Sequence, residues 1–398
     1  MAIFSNIFSV IFLVFYVSIA SSENGNELQI LTQSINKFTK EFNKVAYALE
    51  NNAGKNVITS PMSAHMMLSM LSLGATGNTL KELNTGLYLS STEFTKTAYT
   101  QEMKKLQDFQ ETTLMVANKA YVKDGEAFEL NSTFKMDAAA VFDIEVENID
   151  FAQKTSAAAT INAWVENKTN NTIKNFIDAN DLGSDTALVL VNTIYFKGEW
   201  KLKFDPNATI KAEFGVDKTT VDMMSQINTF NYGESADLDA KILELPLLGD
   251  EMTMLVLLPN EFDGLAAVEE KINNNIISMG NFNLKLEMVD MSLPKFEIKS
   301  TTDLAQVLPK LGMDSMFTDT AELGGLLVKP TPLKVTKATQ KAYIDVNEKG
   351  VTAGAASEMQ FDIVSALPTK QFSADHPFLF ALFSNGQIMF SGKFTNKE

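Results

Sequence analysis

The sequence contains no cysteine, which excludes disulfides and thiolate chemistry, so the fold must be held by packing alone. It contains no arginine either: all 33 basic residues are lysines. Against 49 acidic residues these leave a formal net charge of −16, which argues against nucleic acid and heparin-like polyanions as partners. The adjacent Lys104 and Lys105 read as a solvated helix face, so heparin-type activation is not expected. Only two histidines occur, His65 and His376. They are not spaced as metal ligands, and there is no Gly-x-Ser-x-Gly turn or glycine-rich phosphate loop; neither metal nor cofactor is expected, and an enzyme is disfavoured. His65 lies in an apolar helical context, where a packed histidine is the default.

After the first 20 residues no apolar run is long enough to span a bilayer, and no membrane association is expected. Residues 7–19 are almost wholly apolar and uncharged, and Ser18 and Ala20 place small residues three and one positions before a cut after residue 20. This is the pattern of a secretory signal peptide, 1–20, although the usual basic residue near its start is absent. A membrane anchor would need a longer stretch, about 20 residues. Sequons at Asn131, Asn167, Asn170 and Asn207 fit a secreted, extracellular glycoprotein.

The remaining chain, 21–398, reads as one α+β domain rich in sheet. Leu31, Ile35, Phe38, Phe42, Val45 and Leu49 form one stripe of a long amphipathic helix. A short strand at 56–60 stops at Pro61, and a helix follows over 62–73. Strands are expected at 114–122, 141–149, 187–196, 242–245, 252–258, 284–297, 378–383 and 387–394, with a helix at 155–166. Asn192 falls in the middle of the apolar run 187–196 and requires hydrogen-bond partners there.

Residues 348–365 stand apart. A run of small residues (Ala353, Gly354, Ala355, Ala356) is followed by strict alternation, with Glu358, Gln360 and Asp362 on one face and Met359, Phe361 and Ile363 on the other. Period-2 alternation marks a half-buried strand. Small residues and an interior glycine weaken strand propensity. The segment is built to be a strand in one state and a loop in another.

Six stretches together resemble the serpin family: 56–63 (Asn-Val-Ile-Thr-Ser-Pro-Met-Ser), 192–200 (Asn-Thr-Ile-Tyr-Phe-Lys-Gly-Glu-Trp), 293–296 (Leu-Pro-Lys-Phe), 341–350 (Lys-Ala-Tyr-Ile-Asp-Val-Asn-Glu-Lys-Gly), 374–378 (Ala-Asp-His-Pro-Phe) and 390–394 (Phe-Ser-Gly-Lys-Phe). They occur in the family's order across the mature chain, and the type is that of a secreted insect serpin. The resemblance implies a serpin fold of about nine helices and three β-sheets, with an exposed reactive-centre loop at about 348–370. It implies an inhibitor that works as a monomer. A target endopeptidase cleaves the loop, and the freed loop inserts into the central sheet while the protease is still covalently held.

The family's loop length, counted from Glu348, implies a scissile bond at Val364–Ser365, and the break in alternation at Ile363 and Val364 agrees with it. Ile363–Val364 and Ser365–Ala366 stay open as neighbouring choices. Val364 suits an elastase- or chymotrypsin-like serine protease and argues against trypsin-like enzymes. Ile363 would also suit papain-like (cathepsin L-like) cysteine proteases. A non-inhibitory carrier or storage serpin is the other alternative, disfavoured by the small residues of the hinge: Glu348, Lys349, Gly350, Val351, Thr352, Ala353, Gly354, Ala355 and Ala356. By resemblance, Ser60, Pro61, Ser63 and Asn192 belong under the opening point of the sheet, and Trp200 and Lys295 at its top, with Lys295 pairing Glu348. Two departures stand out. Gln340 occupies the place of a usual histidine that bonds the Asn192 equivalent, and Val351 replaces the usual Thr or Ser.

Overall fold

The computed structural model describes residues 4–49, 52, 54–109, 113–274, 282–351 and 369–396, with side chains from residue 26 onward except at 113–115, 273 and 274. The hinge residues Thr352, Ala353, Gly354, Ala355 and Ala356, the cleavage candidates Ile363, Val364, Ser365 and Ala366, and the side chains of the signal segment lie outside the described residues.

In chain order, α1 (Phe4–Tyr47) leads to β1 (Val57–Thr59), α2 (Pro61–Ser72), α3 (Gly77–Gly86) and α4 (Thr92–Gln107). β2 (Thr113–Lys123), α5 (Ser132–Phe142), β3 (Glu145–Ile149) and α6 (Lys154–Lys168) follow. Next come β4 (Leu188–Glu199), β5 (Ile210–Phe214), β6 (Thr219–Ser235), β7 (Ala240–Pro246), β8 (Thr253–Pro259) and α7 (Leu265–Asn274). The chain continues with β9 (Lys285–Pro294), β10 (Phe296–Asp303), α8 (Leu304–Val307), β11 (Val335–Asn347) and β12 (Gly350–Val351). β13 (Lys370–Ser373), β14 (Phe378–Ser384) and β15 (Gln387–Phe394) complete it.

The apolar stripe of α1 is buried as its spacing requires, with Leu31, Ile35, Phe38 and Phe42 at most 1% exposed. α2 is buried on every side. Its first turn is fixed by Pro61 at the first helical position and by Ser60, whose side chain accepts from Ser63 N–H. The strand expected over 141–149 begins later. Phe134, Ala138, Val141 and Phe142 recur at helical spacing as the buried stripe of α5, and Asp143 ends the helix in the left-handed region at φ 54°. The run 284–297 divides at Lys295 into β9 and β10, which belong to different sheets.

Among the described residues the strands form two hydrogen-bonded sheets. The larger has the order β1-β15-β14-β8-β7-β6-β9-β13, with β5 also on β6. The 17-residue β6 joins its two parts, pairing with β7 over 231–235 and with β9 over 223–232. The six-stranded central sheet has the order β10-β11-β12-β4-β2-β3. β4 runs parallel to β11, and the two pair directly from Val335–Leu188 to Tyr343–Tyr195. Beyond that point they diverge, and β12 lies between them, antiparallel to both. α2 packs on one face of this sheet and α6 on the other.

Candidate functional site

The site is the seam between β4 and β11, with a lower closed part and an upper open part. In the closed part, register places polar residues in one row across four strands: Thr302 on β10, Gln340 on β11, Asn192 on β4 and Asn118 on β2. The N-terminus of α2 lies beneath this row. Gln340 Nε2 donates to Asn192 Oδ1 at 2.6 Å and to Ser60 O at 2.8 Å, while its Oε1 accepts from Ser60 N–H at 2.9 Å. Asn192 Nδ2 donates to Ser63 Oγ at 2.7 Å and to Asn118 Oδ1. Ser60 Oγ donates to Met389 O at 2.7 Å, which ties the row to β15. Every one of these groups is buried. The amide of Gln340 therefore takes up the Asn192 bond expected of a histidine and adds both backbone groups of Ser60. No sequence motif marks Asn118, although a polar residue inside an apolar strand signals the need for such a partner.

The upper part is built around β12. Gly350 pairs with Asn347 on one side and Glu199 on the other, and Val351 pairs with Val346 and Gly198. Val351 is fully buried. Gly350 has φ +147°, and a Cβ there would meet Gly198 O, Glu199 Cα and Trp200 N, all backbone atoms. Only glycine fits this position. Trp200 closes the top: its Nε1 donates to Asn347 O at 2.8 Å and its N–H to Lys349 O at 3.0 Å, with Phe204 edge-on at 6.3 Å.

Glu348 anchors the turn between β11 and β12. Lys295 Nζ donates to both its carboxylate oxygens, at 3.0 and 2.9 Å, and Thr209 Oγ1 donates at 2.8 Å. Burial alone would raise this carboxyl, but the bonds from Lys295 and Thr209 outweigh it and hold Glu348 below the usual range. Asp345 moves the other way. Burial raises it, and the facing Glu297 and nearby Glu348 add to the rise.

Both histidines are engaged structurally. His65 is fully buried; its Nε2 donates to Leu87 O at 2.9 Å and its Nδ1 contacts Tyr99 Oη. Burial lowers it to about 4. His376 has Nε2 on Pro259 O and Nδ1 on Asp375, both at 2.8 Å, and stacks on Phe262. Neither ring has a nitrogen left to take a proton from a nucleophile. Among the described residues no cluster of three or more acidic or histidine side chains could hold a metal ion, and no helix is long and apolar enough to cross a membrane.

Comparison with known proteins gives a consistent result. The family model for serpin (serine protease inhibitor) matches residues 33–397. Antichymotrypsin-2 of Bombyx mori is 37% identical over 352 residues, covering 87% of this chain and 93% of that protein. Antitrypsin of the same organism is also 37% identical, over 87% of this chain and 90% of its own length. Among solved structures, Serpin48, described as a highly specific serpin of the insect Tenebrio molitor, superposes with a TM-score of 0.84 at 35% identity, covering 92% of this chain and 97% of that one.

Proposed function

Because this chain belongs to the serpin family, we propose that it is a secreted, monomeric, irreversible inhibitor of an endopeptidase, consumed in a single turnover. The observation that carries the reading is β12: two residues of the hinge already occupy the space between β4 and β11, hydrogen-bonded on both sides. Residues from Thr352 onward extend that strand once the loop is cut.

In this mechanism the protease's own nucleophile attacks the carbonyl carbon at the reactive bond, taken as Val364–Ser365, and forms the acyl-enzyme. The inhibitor supplies no catalytic group. The released segment replaces the eight direct residue pairs between β4 and β11 with pairs of its own on both sides. The bond between Gln340 and Asn192 lies on this path and parts as the strand arrives. Burial of Met359 and Phe361 stabilises the product by roughly 1.5–3 kcal/mol each. The small side chains of Ala353, Ala355 and Ser357 let the leading end enter without overpacking.

Secretion is supported by the apolar leader and by the exposure of Asn167, Asn170 and Asn207. Asn131 differs: its Oδ1 caps α5 by accepting from Thr133 N–H and Phe134 N–H. The target is proposed as an elastase- or chymotrypsin-like serine protease from Val364. The two equally similar relatives carry the names antitrypsin and antichymotrypsin, so overall identity does not choose between specificities.

The test is incubation with elastase-like, chymotrypsin-like, trypsin-like and papain-like enzymes, followed by denaturing gels and assay of residual protease activity. A covalent high-mass band with a serine enzyme is the expected result. Loss of a papain-like activity without a stable band would move the target to the cysteine class. Clean cleavage with full protease activity would overturn inhibition, and Ala355→Arg should convert the inhibitor into a substrate.

A further inference from the structure

The loop assigned above as reactive leaves the central sheet after β12 and returns at β13. The short segment 200–209 lies between these two stems. On one side it wraps the turn at Glu348 and Lys349. Trp200 N–H donates to Lys349 O and Phe204 N–H to Glu348 O, both at 3.0 Å, and Thr209 Oγ1 donates to the Glu348 carboxylate at 2.8 Å. On the other side it rests on β6: Gln226 Nε2 donates to Leu202 O at 3.1 Å and Ser225 Oγ to Ala208 O at 3.4 Å. Ser225 heads a register row that runs through Ser292 of β9 to Ser373 of β13, and the last two hydroxyls lie 2.9 Å apart. Two inter-strand spacings, about 10 Å, therefore separate Ser225 from the returning stem.

This segment carries the sequon Asn207-Ala208-Thr209. Asn207 is exposed on a short turn, 206–208, whose start is set by Asp205 and Pro206. Asp205 Oδ1 accepts from Asn207 N–H at 2.9 Å and from its side-chain Nδ2 at 3.0 Å. The sugar donor for such a site is a lipid-pyrophosphate-linked oligosaccharide. Its anomeric C–O bond to pyrophosphate breaks, a C–Nδ2 bond forms, and the lipid pyrophosphate leaves as one of the two Nδ2 protons is released. The proton that stays keeps the bond to Asp205 and biases the first sugar toward one direction. Thr209 serves twice, completing the sequon on the nascent chain and tying the folded segment to Glu348. The other three sequons lie at the start of α5 and around the end of α6.

Val364 lies six residues before Lys370, a reach of about 20 Å when fully extended. A protease domain of about 220 residues has a radius of gyration of about 17 Å, so an enzyme seated on the loop overhangs the stems. A sugar chain there is bulky and hydrated, and it acts by the volume it occupies.

We propose that Asn207 carries an N-linked oligosaccharide that stands between the stems of the reactive loop and limits which endopeptidases can seat on it. Asn207 is then a specificity-determining residue that never touches the reactive bond. The inference rests on the functional reading above.

The test uses the protein secreted from cultured insect cells. Enzymatic release of N-linked sugars in heavy-oxygen water turns each occupied asparagine into labelled aspartate, which peptide mass spectrometry reads. Label on Asn207 is expected; a peptide containing Asn207 found only unmodified would overturn the proposal. Inhibition rates over the four protease classes named above are then compared with those of Asn207→Gln, which keeps the other sequons. The variant should trap at least one serine enzyme about tenfold faster and discriminate less among them. Thr209→Ser, which keeps both the sequon and the hydroxyl, should match the unaltered protein. Equal rates for Asn207→Gln and the unaltered protein across the panel would overturn the shielding. So would a gain that came with a change in melting temperature or in moles of inhibitor consumed per mole of protease, because either would trace it to the sheet instead of to access. A chain that stays inside the cells would refute secretion, and one that traps no enzyme with or without the sugar would refute inhibition; either takes the proposal with it. Sugar on the other sequons with trapping intact isolates a failure at Asn207 alone.

Discussion

Replacing Gln340 by leucine is the most direct probe of the closed seam. The amide makes three hydrogen bonds at 1% exposure, serving Ser60 N–H, Ser60 C=O and Asn192 Oδ1. Leucine has similar volume but leaves all three groups without that partner. A buried polar group left unpaired costs about 1–3 kcal/mol. Asn192 keeps its own bonds to Ser63 and Asn118, and the leucine recovers some transfer energy, so the net loss is about 3 kcal/mol. For a domain of 150–250 residues each kcal/mol moves the melting temperature by about 2–4 °C, and larger chains move less. The expected fall is roughly 3–6 °C in a thermal melt, with faster loss of inhibitory activity on storage, because the seam that must stay closed has lost its central bonds. Gln340→His should fall between the two, since an imidazole can donate to Asn192 but cannot serve both groups of Ser60. If Gln340→Leu melted within about 1 °C of the unaltered protein, the row of bonds would not be what holds the seam.

Gly350→Ala should expel β12 from the sheet, because the added carbon meets backbone on β4. The emission of Trp200, whose indole bonds Asn347 O, should then shift to longer wavelength; an unchanged spectrum with normal inhibition would count against the seating of the hinge. His65 is held neutral by burial at about 4, while the unfolded chain protonates near 6.5, so the unfolded state binds more protons below that value. Stability should fall by about 2 kcal/mol between pH 7 and pH 5 through this residue, and urea midpoints for His65→Gln should be flatter over that interval. Glu348 runs on the other arm: its lowered carboxyl contributes stability above about pH 4.3 that is lost as pH falls further. Glu348→Gln should remove that part of the acid transition, and an identical melting profile from pH 3 to 5 would contradict the role of Lys295.

Much of the fold was visible in side-chain periodicity. The α1 stripe, the buried β4 and the two terminal strands carry unmixed apolar patterns and fall where those patterns put them. The boundary errors arose where an apolar run crosses a change of structure. Val141 and Phe142 belong to a helix face yet abut β3, and Lys295 is a single-residue corner between two sheets. β5 and β6 are not legible in the sequence because their outer faces mix exposed residues such as Ile210 and Ile227 with polar ones, which blurs a period of two. At the site, the motifs pointed to Ser60, Asn192, Trp200 and Lys295, but contacts made across register, such as Asn118 to Asn192, depend on strand order that no local pattern encodes. Lys119 is the sharpest instance. A lysine in an apolar strand is a conspicuous oddity, but its partners Glu145, Glu147 and Trp164 lie on a strand and a helix 26 to 45 residues further along.

The orientation of β4 and β11 has a topological consequence. The turn at Glu348 and Lys349 is a tight hairpin, so whatever follows Gly350 must run opposite to β11. Since β4 and β11 point the same way, a strand with that one direction meets both neighbours in the antiparallel sense. Were the two strands opposed, any newcomer would match one side and mismatch the other. Nor is there a short connection between β4 and β11 to be stretched, since they are separated by most of the larger sheet in sequence. The gap can therefore widen without unfolding a turn, and two good ladders can form where one parallel ladder stood.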